Sequence, residues 1–211
     1  MKRFFLLLFF STITIQLHSQ DFSFGAKAGL NLSTVTGDVP ESINPRLAYH
    51  LGGFVNIPLS ERFSLHPELL YFSIGSTFSL STNEFTNFDP DPFSGSGSFR
   101  SVNRANFLAV PVNFRFNFTD RFGLDFGPQI SFLLNTASKV KENPDNLDAF
   151  NQTTPGRFVP DYGANLGLTF SPIDKFNFQL RYYQGLKNLS FFREDRSFNV
   201  ALQFSVGYVI F

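Results

Sequence analysis

The chain has 211 residues, of which 17 are basic and 17 acidic; 43% are hydrophobic, 18% aromatic and 16% charged. Phe occurs 31 times and Cys and Trp not at all, while charged residues are scarcer than the roughly 25% usual in soluble domains. A neutral balance without a basic patch argues against a nucleic-acid partner, the lack of Cys excludes disulfide and thiolate-metal frameworks, and the hydrophobic content excludes a disordered chain.

Residues 1–20 carry the three parts of a secretory signal. Lys2 and Arg3 come first, then the apolar run Phe4 to Phe10 extended through Ile13 and Ile15, then the polar end Leu17 to Gln20. The run is shorter and more broken than the ~20 apolar residues of a spanning helix. It is read as a cleaved leader, cut after Ser19 or one residue later, which leaves 21–211 as one domain.

Period-two alternation fills the rest of the chain. The first strand places Phe22, Phe24, Ala26, Ala28, Leu30 and Leu32 on one face, against Ser23, Gly25, Lys27, Gly29, Asn31 and Ser33 on the other. A long connection over 36–46 leads to the second strand, Tyr49 to Ile57, and the third follows from Phe63 to Tyr71. After a second long connection over 81–104 come the fourth strand, Leu108 to Phe118, and the fifth, Phe122 to Leu134. Residues 137–158 form a third, before the sixth strand, Tyr162 to Phe170, and the seventh, Phe176 to Tyr182. The last connection, 188–196, precedes the eighth strand, Val200 to Ile210. Each run covers about ten to fourteen residues, twice the soluble mode of 5–6.

A repeat fixes the topology. Ser60-Glu61-Arg62-Phe63, Thr119-Asp120-Arg121-Phe122 and Ile173-Asp174-Lys175-Phe176 each set an acid, a base and a Phe at a tight turn. Short and long connections therefore alternate. With eight strands this gives an all-β, antiparallel up-and-down transmembrane β-barrel, with both termini and the tight turns on the periplasmic side and the long loops extracellular. Volume decides which face meets lipid. An eight-stranded barrel is just wide enough to be filled by side chains, so a face of Phe, Leu, Tyr, Val and Ile at nearly every position belongs outside, against outer-membrane lipid. Phe63, Phe122 and Phe176 then belong to the periplasmic aromatic girdle, and Tyr49, Tyr71, Tyr162 and Tyr182 lie toward the other interface.

The opposite face is Gly, Ser, Asn and Ala with a few charges. Centring the second tight turn on Asp120 sets Arg115 opposite Asp125, and the same centring elsewhere sets Gly52 opposite Glu68 and Asn165 opposite Arg181. Lys27, Glu68, Arg115, Asp125, Asp161 and Arg181 are expected to form an inward ionic network, because pairing offsets the cost of buried charge. Such a network either gates a pore or plugs the lumen, and the plug is preferred because so small an interior is normally filled.

Catalytic signals are weak. Ser64, His66 and Glu68 can be composed into a nucleophile, base and acid, with His50 on the neighbouring strand. Yet His66 lies three residues past a tight turn, on the wrong side for outer-leaflet lipid chemistry, so the histidines read as filler or network members. Asp89, Asp91, Asp145 and Asp148 lack EF-hand spacing and read as solvated loop acids. Ser94 to Ser98 lacks the Lys of a phosphate loop and reads as a loop tip. No cofactor, metal or catalytic residue is assigned.

Several segments resemble a known family: Phe24-Gly25-Ala26-Lys27-Ala28-Gly29-Leu30-Asn31-Leu32-Ser33, Leu65-His66-Pro67-Glu68-Leu69-Leu70-Tyr71, Leu108 to Pro111, Phe126-Gly127-Pro128-Gln129, Tyr182 to Asn188, and the closing Gly207-Tyr208 with Phe211. Together they look like the outer-membrane β-barrel family typified by PorT. The resemblance implies an eight-stranded barrel in the outer membrane of a Bacteroidetes-like bacterium and no catalytic residues. Its founding member is associated with protein secretion. Phe211 departs from the family pattern, being out of phase with Val206 and Tyr208, so it follows a bulge or lies beyond the last strand. The expected role is structural, surface-binding or adaptor-like, with envelope or secretion-system proteins as partners. Two alternatives stand beside it: an outer-leaflet lipid-modifying enzyme and a soluble lipocalin-like carrier.

Overall fold

The computed structural model describes residues 22–40, 42–81, 98–142, 151–189 and 196–211. The leader, the loop acids Asp89, Asp91, Asp145 and Asp148, and the Ser94 to Gly97 part of the loop tip lie outside the described residues.

The strands are β1 (Ser23–Gly37), β2 (Ile43–Pro58), β3 (Phe63–Ser81), β4 (Ser98–Asn117), β5 (Phe122–Glu142), β6 (Gln152–Pro155), β7 (Pro160–Ile173), β8 (Phe176–Gly185) and β9 (Ser197–Val209). Each pairs antiparallel with its neighbours, β1 pairs with β9, and the β4–β5 pairing completes the ring. The short β6 pairs with β5 from Asn135↔Pro155 to Ser138↔Gln152, and β7 takes over the same edge from Phe132↔Pro160. β6 and β7 are thus two pieces of one stave, and the molecule is a closed, eight-stave, all-β antiparallel barrel.

Alternation sorts the side chains. Leu30, Leu51, Leu69, Phe126, Leu166, Leu180 and Phe204 each expose about half their surface to the outside, while Lys27, Asn31, His50, Glu68, Asp125, Gln129 and Arg181 are buried within the ring. On β3 the outward apolar run ends at Tyr71 and gives way to Ser73, Gly75 and Thr77. From Phe63 to Tyr71, steps of roughly 3.4 Å at about 40° tilt rise about 21 Å, close to the ~25 Å apolar band of a bacterial barrel. Leu166 lies outward near the middle of that band, so Leu166→Arg should cost about 2–4 kcal/mol of folding stability in lipid vesicles. Urea titration of the two refolded proteins measures it; an unchanged midpoint would mean that this face does not meet lipid.

The strands outrun their expected lengths. β3, β4 and β5 contain 19, 20 and 21 residues, so much of the loops expected over 81–104 and 137–158 is paired strand. The connection expected over 36–46 shrinks to the residues between Gly37 and Ile43. The cause is that ladder hydrogen bonds do not need an apolar face: Ser76, Thr77, Asn103, Val102, Ser138 and Lys139 continue the pairing with polar alternation. A twisted extension of β3, β4, β5 and β6 therefore stands above the apolar band, at the end opposite the tight turns.

Two expected registers also change. Gly52 pairs with Leu70 while Glu68 pairs with Phe54, and Asn165 pairs with Tyr183 while Arg181 pairs with Gly167. At the first of these turns the amides of Leu59 and Ser60 both donate to the Phe63 carbonyl, at 2.8 and 3.0 Å, which centres the turn on Glu61. At the other, the ladder is irregular between Phe170 and Ile173, around Pro172, which lacks an N–H. Both slips are by two partners, so no side chain changes face. Phe211 lies beyond β9, where its carbonyl accepts from the Phe24 amide at 2.9 Å and its ring stacks on Phe24 at 5.8 Å.

Candidate functional site

The lumen is built in layers from inward positions of all the long staves. Nearest the tight turns, Arg115 on β4 faces Asp125 on β5. Its Nε donates to Oδ1 at 2.6 Å and its Nη2 to Oδ2 at 3.0 Å, and Nη2 also reaches Thr169 Oγ1 at 3.1 Å. Thr169 and Gln179 both donate to Oδ2 of the same carboxylate. One layer higher, Glu68 accepts from Lys27 Nζ at 2.7 Å and from both terminal nitrogens of Arg181, at 3.0 and 2.5 Å. Gln179 joins the two clusters, since its Oε1 accepts from Lys27 at 2.8 Å while its amide nitrogen serves Asp125.

Glycine makes room on the opposing stave. Gly167 sits across from Arg181, where an added Cβ would lie 3.1 Å from the Arg181 Cα, and a Cβ on Gly123 would lie 3.1 Å from Arg115 Cγ. Asp161 stands apart from this network, which corrects the expectation that it belongs there. It is buried on β7, but its partner is the Asn199 amide at 3.4 Å, near the upper end of the lumen. The slant of the staves places it well above the ionic layers. Removing Arg115 by Arg115→Ala leaves Asp125 without its cation, and about 3 kcal/mol of stability should be lost. The midpoint of thermal or urea unfolding reads this directly.

The histidines are committed elsewhere. His50 is within 2.6 Å of Asn31 Oδ1 through Nδ1 and 2.8 Å of Ser205 Oγ through Nε2, filling the space left by Gly29 directly opposite. His66 stacks on Phe54 at 6.2 Å between ring centroids. Ser64, His66 and Glu68 do share the inward face of β3, but the Glu68 carboxylate is engaged by Lys27 and Arg181. Among the described residues, no group of His, Cys, Asp and Glu is arranged to hold a metal ion.

Above the ions lies a layer missing from the sequence reading. Leu70, Phe72, Ile74, Phe107, Ala109, Tyr183 and Ala201 form a buried apolar cluster inside the barrel, with Phe72 and Tyr183 in edge contact at 5.4 Å. The inward face is therefore not polar throughout. Beyond this layer the lumen opens into a mouth of about 350 Å³, lined by Ser76, Asn103, Arg104, Thr136, Ser138 and Gln152 among others. Gln179 and Thr169 are further members of the network that the sequence pattern does not single out. Their inward parity was legible, but their partners lie on distant staves that local pattern does not connect.

The proposed girdle residues all point outward. Phe63, Phe122 and Phe176 lie beside the tight turns, and Tyr49, Tyr71, Tyr162 and Tyr182 sit toward the open end. Several pair across the ladder, as in Phe63 with Phe116 at 4.9 Å and Phe122 with Phe170 at 4.7 Å.

A ring of lipid-facing aromatics around a charged, filled core is the layout of a bacterial outer-membrane barrel. The family model described as outer membrane protein beta-barrel domain matches residues 16–190. The chain belongs to that family. Similar solved structures include Ail, the attachment invasion locus protein of Yersinia pestis, in complex with the heparin analogue sucrose octasulfate, at 12% identity over 90% of this chain and 99% of that one, with a TM-score of 0.49. Neisserial surface protein A is similar at 10% identity, 89% and 98% coverage and a TM-score of 0.47. The outer membrane protease OmpT from Escherichia coli is similar at 8% identity, 92% and 100% coverage and a TM-score of 0.41. No curated protein sequence matches this chain. As a member of the outer-membrane beta-barrel family, the protein contacts lipid through the apolar band described above.

Proposed function

We propose that this protein is a non-conducting, non-enzymatic outer-membrane barrel that anchors a protruding sheet for binding at the cell surface. Termini and tight turns face the periplasm, and the extension of β3 to β6 stands outside the cell. The observation that carries the reading is the double closure of the lumen: the Lys27–Glu68–Arg181 and Arg115–Asp125 clusters below, and the Leu70, Phe72, Phe107 and Tyr183 layer above. A sealed scaffold contributes position rather than passage, and the polar mouth and sheet are left as the surfaces a partner meets. The six inward charged residues act structurally, and the outward Phe and Tyr residues act as interfacial girdles. A leader over 1–20 directs export.

The finer reading is a PorT-type member that supports a secretion or uptake assembly with other envelope proteins as partners. It rests on the segments quoted above, from Phe24 to Ser33 through Gly207-Tyr208. A lipid-modifying activity is disfavoured because Glu68 is held by two cations and His66 packs on Phe54.

Two measurements test the proposal. In planar bilayers the purified protein should show no conductance above the lipid baseline; steady channels would make it a pore. In intact cells a membrane-impermeant amine reagent should label Lys139 and Lys141, which are partly or fully exposed on the upper end of β5. Labelling that occurs only after lysis would reverse the orientation.

A further inference from the structure

The β2–β3 ladder comes apart at one place. Pairing runs from Pro58↔Ser64 up to His50↔Phe72, then resumes at Pro45↔Ser76 with the register shifted. The β3 backbone in the gap is served from inside instead: Asn31 Nδ2 donates to the Ser73 carbonyl at 2.9 Å, Ser33 Oγ donates to the Gly75 carbonyl at 3.0 Å, and the Gly75 amide donates to Ser33 Oγ at 2.9 Å. The opening is therefore a satisfied feature of the fold rather than a fault in it.

Arg46 occupies this opening, half-buried, with Nη1 3.5 Å from the Ile74 carbonyl. On the outer side of the same gap, Tyr49 and Tyr71 stack at 5.7 Å between centroids, and Arg104, exposed, pairs with Gly75 on the adjacent stave. Arg104, Tyr49 and Tyr71 lie near enough to Arg46 to act on its charge. Neither arginine makes an ion pair among the described residues. Among the described residues, two guanidinium groups and two phenols thus lie together without a counter-charge, at the level where the apolar band ends and lipid headgroups begin. Guanidinium donors fork around phosphate oxygens, and phenol O–H groups donate to those that remain.

We propose that Arg46, Arg104, Tyr49 and Tyr71 form a site for the phosphate of a lipid headgroup in the leaflet at the open end of the barrel. Tyr49 and Tyr71 face the membrane and Arg104 sits on the rim between that face and the mouth of the lumen, so the ligand arrives by lateral diffusion and stays anchored by its acyl chains. Headgroup binding at the β2–β3 opening would hold the extension of β3 and β4 upright on the membrane surface.

The test uses the full barrel refolded in zwitterionic detergent, with native mass spectrometry or calorimetry against three probes: diphosphoryl lipid A, the same lipid stripped of phosphate, and inorganic phosphate. Diphosphoryl lipid A should bind at least tenfold more tightly than either other probe. Arg104→Gln, at an exposed position that leaves the fold intact, should weaken it about tenfold, and Arg46→Gln combined with Arg104→Gln more than that. Tyr49→Phe with Tyr71→Phe should weaken it several-fold with no change in charge. Equal binding of the dephosphorylated lipid, or parent-like binding by both arginine variants, would overturn the proposal. So would inorganic phosphate binding as tightly as the lipid, since the site would then serve a free anion.

Discussion

Glu68→Ala should cost about 3–5 kcal/mol of folding stability, because it strips the counter-charge from two buried cations at once. Lys27 and Arg181 both terminate on this carboxylate, at 2.7 and 2.5 Å, and the side chains of all three are almost fully buried. That loss is a large share of the 5–15 kcal/mol that holds a typical domain together. In urea titrations of vesicle-refolded protein the variant should unfold at clearly lower denaturant, and on gels it should lose its heat-modifiable compact form. Glu68→Gln should fall between the parent and Glu68→Ala, since an amide keeps one acceptor oxygen but carries no charge. The companion experiment separates pairing from mere occupancy. Replacing the whole cluster, by Glu68→Leu with Lys27→Met and Arg181→Met, removes desolvation cost and Coulomb gain together, and should recover most of the lost stability. If Glu68→Ala unfolds like the parent, the cluster is solvated and the lumen is not dry.

How far such an interior can be read from sequence depends on the range of the signal. Face assignment needs only neighbours, so strict alternation from Phe22 to Leu32 or Tyr162 to Phe170 was enough, and the narrow cylinder decided which face was outside. Register needs one turn. Arg115 meets Asp125 because the Thr119-Asp120-Arg121 turn is regular, with the Phe118 amide bonded to the Phe122 carbonyl at 3.1 Å. The same centring fails at the turn after Pro58, which is centred on Glu61, and beside Pro172, where the ladder is irregular. Contacts across the lumen need the whole ring. Gln179 bridges Lys27 on β1 to Asp125 on β5, a relation carried by barrel closure and stave tilt and by no local pattern. Asp161 falls outside the network for the same reason, since height in the lumen depends on tilt. The length of β3, β4 and β5 is not legible in the pattern, because paired strand continues where apolar alternation stops. The inner apolar layer did leave a trace. Leu69-Leu70-Tyr71-Phe72 is apolar on both faces, as expected where a strand is covered on both sides.

That layer supports the second large effect. Phe72→Ala should cost about 3–5 kcal/mol, the upper range for truncating a buried aromatic, because a closed ring of hydrogen-bonded staves cannot collapse into the space left behind. Phe72 is among the largest fully buried side chains, at 1% exposure, and packs with Tyr183, Leu70, Ile74 and Phe107. Tyr183→Phe keeps the ring and its edge contact and should cost no more than about 1.5 kcal/mol, the scale of one hydrogen bond. Conductance adds a readout that stability alone cannot supply. The apolar and ionic layers are in series, so Phe72→Ala should still carry no current while the Glu68 and Asp125 clusters remain closed. Adding Gln179→Ala removes the bridge between those clusters without exposing a new charge, and this double variant should pass small ions in planar bilayers. Current through Phe72→Ala alone would mean that the ionic layer does not seal and that the aromatic ring is the gate; silence in the double variant would mean that the charged pairs close the barrel without Gln179.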